Sequence, residues 1–161
     1  MIDFERSPLA DLLSLHARIE TELRRRGVLR TANGPVGDYA EHLFHRAFGW
    51  RLEANSRAGY DAVDASGNRY QIKGRRENPR TRSRQLSALR NLDADDFDFL
   101  AAVLLDEFYG VKRALVLPRS VVRQRATFSA HTNSHILILS DTLWDHPEAR
   151  DVTIDLIRAT P

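Results

Sequence analysis

The sequence predicts an α/β fold: a central mixed β-sheet flanked by helices, preceded by an N-terminal amphipathic helix. Three observations carry that expectation. Two amphipathic helical segments come first, at about residues 8–26 and 36–48. A strand–turn–strand pattern then runs through 60–74, and a nearly continuous apolar run, Phe97–Leu105, reads as a strand buried on both faces. The order helix, helix, three strands, loop, two strands, helix, strand, helix suits a mixed sheet better than separate α and β regions. With 161 residues and no linker, repeat or low-complexity stretch, the chain reads as one domain, with a core at about 35–140 and a C-terminal helix at about 151–159.

Ser7-Pro8 is a helix-start signal, and Leu9, Leu12, Leu13, His16, Ile19 and Leu23 follow at spacings of three and four until Gly27. Asn33-Gly34-Pro35 marks a turn before the second helix. Its apolar stripe is Val36, Tyr39, Ala40, Leu43, Phe44 and Ala47. At 100° per residue Glu41 falls at the edge of that stripe, whereas Asp38, His42 and His45 point further toward solvent. Arg51–Ala54 is a strand candidate. Ser66-Gly67-Asn68 supplies the tight turn between strands at Tyr60–Ala65 and Arg69–Gly74. Residues 75–92 read as an Arg-rich loop with one helical turn near Leu86–Leu89. Val111–Leu117 alternates as a strand, Pro118 opens a helix to about Arg125, Ile136–Leu139 is a further strand, and Asp151 caps the last helix.

Composition narrows the chemistry. The chain has no cysteine, so disulfides, thiolate nucleophiles and Cys-bound zinc are excluded. No apolar run approaches the roughly 20 residues that cross a bilayer, and the first residues lack a signal-peptide pattern; a cytoplasmic setting is expected, with no membrane partner. There is no Gly-rich phosphate loop or nucleotide fingerprint, so no nucleotide cofactor is expected. The formal net charge is only +2, but it is polarised. Arg69, Lys73, Arg75, Arg76, Arg80, Arg82, Arg84 and Arg90 face a single acid, Glu77, and Asp93, Asp95, Asp96 and Asp98 follow.

On the second hairpin strand the two-residue period puts Gln71 and Lys73 on one face and Tyr70 and Ile72 on the other. Asp61 can then lie beside an amide and an ammonium. Such a set suits a hard divalent cation, Mg²⁺ or Mn²⁺, next to a phosphate: Asp61 and Glu41 as carboxylate ligands, the Gln71 side-chain oxygen and Ile72 backbone carbonyl as neutral ones, and Lys73 on the attacking water and the transition-state charge. The arginine tract suggests a phosphate-tracking surface made by Arg75, Arg76, Arg80, Arg82, Arg84, Gln85 and Arg90, with Ser56 and Arg57 adding contacts ahead of Asp61.

Helix-borne Glu41, then Asp61, then Gln71-Ile72-Lys73, together with the sheet order, resembles the PD-(D/E)XK nuclease superfamily. The segment from Pro35 to Arg76 is similar to a group of bacterial proteins within it. The resemblance covers roughly residues 35–120. It implies a restriction-endonuclease-like core and a Mg²⁺-dependent endonuclease acting on DNA in defence or repair, expected as a homodimer so that two sites meet two strands. By position Asp61 matches the first acid, Gln71 the second acidic position, Lys73 the lysine and Glu41 the helix glutamate. Gln71 is the departure. Some active members carry Gln there, but it leaves two formal negative charges instead of three, so weaker metal binding and a single metal are expected. The same departure keeps open an alternative: a non-catalytic DNA-binding or assembly module with this fold. Asp64 competes with Asp61 but faces away on a regular strand. The pairs His42/His45 and His131/His135 lack the His-Glu-x-x-His order and read as structural.

Overall fold

The computed structural model describes residues 3–54, 59–90 and 92–160. Helices α1 (Leu9–Arg25) and α2 (Pro35–Phe48) lead into β1 (Arg51–Leu52), β2 (Ala62–Val63) and β3 (Arg69–Arg76). Strands β4 (Phe99–Leu105) and β5 (Val111–Pro118) follow, then α3 (Arg119–Arg125), β6 (Thr127–Ser129), β7 (Ser134–Ile136), α4 (Asp141–Trp144), β8 (Arg150–Asp151) and α5 (Thr153–Ala159). The six-stranded sheet has the order β1-β2-β3-β4-β5-β8, and β6 and β7 form a separate ribbon. Only β3 and β4 run parallel, in register from Tyr70↔Phe99 to Arg76↔Leu105; the other neighbours are antiparallel. The sheet is therefore mixed, with helices on its faces.

Residues 100–105 of β4 are buried without exception, which is what its unbroken apolar run encodes. Strand parity divides them between two cores. Ala101, Val103 and Leu105 pack with Ala40, Leu43 and Phe44 of α2 and Leu156 of α5. Leu100, Ala102 and Leu104 pack with Val121 and Val122 of α3 and with Leu86, Leu89, Leu137 and Leu143. Gly74 is where α2 comes closest to the sheet. A Cβ there would stand 2.9 Å from the Val36 carbonyl oxygen and 3.0 Å from the Ala40 Cβ, so the missing side chain sets the depth of α2 on β3.

Several elements differ from the sequence reading. The hairpin strand ahead of the turn is only Ala62–Val63, and β1 stops at Leu52. Asp64 ends that strand because its carboxylate accepts from the Ser66 and Asn68 amides at 2.9 Å each and from the Asn68 side chain and Tyr70 hydroxyl. Leu86–Leu89 is not a helical turn. It bends at Ser87 between two antiparallel bridges to a distant segment, Gln85 to Ile138 and Leu89 to His135. The strand expected at Ile136–Leu139 lies instead at Ser134–Ile136, and Ile138 makes only an isolated bridge to Gln85. Asp38 is not turned to solvent; it is 3% exposed. Pro8, not Ser7, is the N-cap residue of α1, without a side-chain cap. Asp151 does serve α5, accepting from the Thr153 amide at 2.9 Å. No helix among the described residues is long and apolar enough to cross a membrane.

Candidate functional site

The site grows from the shortness of β2. Because β2 reaches only Arg69 and Tyr70 of β3, the outer edge of β3 has no strand neighbour from Ile72 onward among the described residues. Asp61, just before β2, fills the first vacancy. Its own amide donates to the Tyr70 carbonyl at 2.8 Å, and its Oδ2 accepts from the Ile72 amide at 2.6 Å. Backbone direction alternates along a strand, so the Ile72 carbonyl points to the same open edge as its N–H. Tyr70 and Ile72 are buried against α2, and Gln71 and Lys73 lie on the opposite face, as the period requires.

Helix α2, held close over Gly74, brings Glu41 to this edge. The Asp61 charge adds to the burial cost of Glu41. Desolvation comes first, then the Asp61 charge, and together they push the Glu41 carboxyl up to about 7 against the pull of Arg30 and Lys73. Burial also raises Asp61, opposed by the Ile72 amide and by the Lys73 and Arg30 charges. Lys73 has no direct ion pair among the described residues, although its charge is felt by both carboxyls. The Gln71 Oε1 is buried and has no hydrogen-bond partner among the described residues. An unpartnered buried carbonyl oxygen costs free energy unless something else comes to it.

Sequence reasoning missed Arg30. Its guanidinium donates to Glu41 Oε2 at 2.8 Å and to the Glu53 carbonyl at 2.5 Å. Asp38 puts it there: one carboxylate oxygen, Oδ2, accepts from the Arg30 amide at 2.8 Å, the Thr31 amide at 2.7 Å and the Thr31 hydroxyl at 3.0 Å. The 30–31 segment is thus pinned over the start of α2. The only local signal was an acid in a first helical turn, which normally serves the helix's own amides.

The residues fit a hard cation in kind. No group of three His, Cys, Asp or Glu side chains converges among the described residues. Two carboxylates, an unpartnered amide oxygen and a carbonyl at an open strand edge make an all-oxygen set, which is what Mg²⁺ takes, with water and phosphate completing it.

The basic tract is divided. Arg84 donates to Glu77 at 2.7 Å and to Asp141 at 3.0 Å, and Arg76 lies over the Tyr109 ring at 4.8 Å. Arg75 donates to the Ser83 carbonyl at 2.8 Å. Arg80, Arg82 and Arg90 are exposed, and none has a carboxylate partner among the described residues; Gln85 is exposed at the bridge to Ile138. Between this loop and the β6–β7 ribbon runs a groove of about 590 Å³, whose walls include Arg75, Arg76, Asn78, Gln85 and Ser134 and carry no acidic side chain. Ser56 and Arg57 lie outside the described residues.

Among solved structures, a bacterial homing endonuclease, I-Ssp6803I, is similar to this chain. The TM-score is 0.44 and the identity 24%, covering 70% of this chain and 79% of that one. No family model matches the chain, and no curated protein matches it.

Proposed function

We propose that this chain is a Mg²⁺-dependent endonuclease of the PD-(D/E)XK type that hydrolyses DNA phosphodiester bonds. The observation that carries the reading is the edge of β3. Two half-buried carboxyls are held there above their ordinary range, within the field of Lys73, which has no ion pair among the described residues. Gln71, two positions earlier on the same face of β3 as Lys73, has a buried amide oxygen with no partner among those residues. Strained titratable groups gathered at one edge are what a reacting site needs and what a purely structural cluster avoids. Asp61, Glu41, Gln71 Oε1 and the Ile72 carbonyl would hold the metal. A bound Mg²⁺ supplies charge neutralisation at the scissile phosphate and a more acidic attacking water. Lys73 orients that water and offsets the negative charge that builds on phosphorus. Arg30 keeps Glu41 turned toward the edge and shares its charge. The acid-free groove beside Arg75, together with the exposed Arg80, Arg82 and Arg90, would follow the sugar–phosphate backbone.

The test is cleavage of plasmid and linear DNA in Mg²⁺, Mn²⁺ or EDTA by the full chain, by Lys73→Ala and by Asp61→Asn, which keeps an oxygen for the Ile72 amide. Cutting is expected with either metal and absent in EDTA, and both variants lose at least about a hundredfold in rate. Metal-independent cutting, or cutting that survives both substitutions, would overturn the assignment.

A further inference from the structure

The β6–β7 ribbon takes no part in the cluster around Lys73, yet it forms the far wall of the groove that starts beside it. Gly74 and Arg75, the two residues after Lys73, line one side of that groove. Thr132 of the ribbon's turn and Ser134 and Ile136 of β7 line the other. The register says which side chains share that wall. Thr127 stands opposite Ile136, Phe128 opposite His135 and Ser129 opposite Ser134, and directly opposed residues lie on one face. Thr127 and Ser129 therefore belong to the groove face, and Phe128 and His135 to the other.

The ribbon is fastened along one edge. The His135 amide donates to the Leu89 carbonyl at 2.9 Å, the Leu89 amide returns the bond at 3.0 Å, and Leu89 is fully buried. The buried Ser134 hydroxyl bonds that of Thr132 at 2.6 Å, which fixes the root of the turn. Residues 130–133 are exposed. Asn133 gives the turn only its backbone amide, bonded to the Ala130 carbonyl at 3.4 Å, and its side chain has no hydrogen-bond partner among the described residues.

The two walls differ in chemistry. The loop wall presents the guanidinium groups of Arg75 and Arg76, which suit phosphate oxygens. The ribbon wall presents hydroxyls and an amide, donors and acceptors without formal charge, which suit base edges. Residues 119–140 contain no acid, so the ribbon does not repel a polyanion. A two-stranded ribbon fits the major groove of B-form DNA, and an asparagine amide there can bond an adenine edge twice. Single strands are ordinarily held by stacking on aromatic side chains, and none lines this groove among the described residues. The deep, narrow major groove of duplex RNA shuts a ribbon out. We infer that the β6–β7 ribbon enters the major groove of B-form DNA and reads base edges through Ser129, Thr132 and Asn133. This rests on the proposal that the chain acts on DNA, but not on its cutting it.

Selection from a randomised duplex pool by the full chain, in EDTA at one salt concentration, tests the ribbon. Fluorescence anisotropy then compares the selected duplex with a scrambled one. The selected duplex is expected to bind at least about a hundredfold tighter than the scrambled duplex, its own single strands or the same sequence as duplex RNA. Asn133 has a φ of 44°, which glycine adopts freely, so Asn133→Gly keeps the turn and removes the amide. Asn133→Gly and Ser129→Ala each lower the preference about tenfold, at different base positions, with the melting temperature as the control for folding. Duplex binding with no preferred sequence, equal weakening on both duplexes, a preference that both variants keep, or tighter binding to single strands or RNA would overturn the inference. Plasmid cleavage in Mg²⁺, measured alongside, separates it from the nuclease proposal. A selected sequence without cutting leaves the ribbon a reader and removes the nuclease, and cutting without a selected sequence does the reverse. No DNA binding at all would remove both.

Discussion

Two sets of carboxylates, one beside the middle of β3 and one past its end, are treated in opposite ways. Near its middle, beside Gln71-Ile72-Lys73, Glu41 and Asp61 are half-buried with one direct cation among the described residues, Arg30, and both carboxyls are raised. Past its end, Glu77 is held by Arg84 and Lys112, and Asp141 by Arg84 and Arg113, and both are lowered. The far end has more direct cations than carboxylates; the near end has fewer. An arrangement made for holding the fold together gives every charge a partner, as Glu77 and Arg84 do. Among the described residues the Glu41–Asp61 pair has one direct ion pair for two carboxyls, and the Gln71 oxygen has no donor. A divalent cation would supply both wants, and that difference is why the near end is read as a site and the far end as a brace.

The contrast is broken most directly at Glu41. Folding raises its carboxyl from 4.5 to about 7, so the stability it contributes is full below about 4.5 and is lost as the pH rises through about 7. Glu41→Gln keeps an acceptor for Arg30 and removes the charge. At about pH 8 in EDTA it is expected to stabilise the protein against urea by on the order of 1–2 kcal/mol, with the gain vanishing near pH 4. In the proposed site the same substitution would remove a metal ligand, so cleavage is expected to fall at least about a hundredfold and Mg²⁺ no longer to raise the melting temperature. A variant that is less stable at the higher pH would mean that the Glu41–Arg30 ion pair outweighs the burial cost, and the near end would then be a brace as well.

Much of this site is legible in the chain because it obeys local periods. Residues two apart on a strand share a face, which puts Gln71 with Lys73, and the helical period brings Glu41 to the edge of its stripe. The large elements were legible for the same reason, β4 above all. Arg30 and Asp38 escaped because a helical wheel reports angle from the core, not what an incoming loop will cover. Asp38 faces away from the sheet and is buried all the same, under residues 30–31. Leu86–Leu89 has a spacing that suits a helical turn, but its partners lie near His135 and Ile138, and no local pattern announces a pairing at that separation. Arg84 belongs to the same class. Its neighbours in sequence are arginines, while the Asp141 that holds it stands 57 positions away.

Arg84 therefore offers a smaller perturbation of the brace. Arg84→Ala leaves Glu77 with Lys112 and Asp141 with Arg113, so the loss is partial: about 1 kcal/mol, or a fall of roughly 2–4 °C in melting temperature. Its pH dependence runs opposite to that of Glu41. Glu77 is lowered on folding, so the stability it contributes is present above 4.5 and is lost as the pH falls through its folded value. The cost of Arg84→Ala should accordingly shrink in acid, as measured by urea denaturation at several pH values. A cost that grew in acid would show that Arg84 acts through something other than these carboxylates.

The gentlest test separates arginines that brace from arginines free to meet a ligand. Arg80 and Arg82 are exposed and have no carboxylate partner among the described residues, whereas Arg84 has two. Each phosphate contact that a protein makes adds close to one unit to the slope of log affinity against log salt. Arg80→Ala and Arg82→Ala are expected to reduce that slope for duplex DNA by about 1 each, weakening binding a few-fold at moderate salt without shifting the melting temperature. Arg84→Ala should do the reverse, lowering the melting temperature and leaving the slope alone. Equal slope changes for all three would mean that Arg84 exchanges its carboxylates for phosphate on binding, and that the brace opens when the backbone arrives.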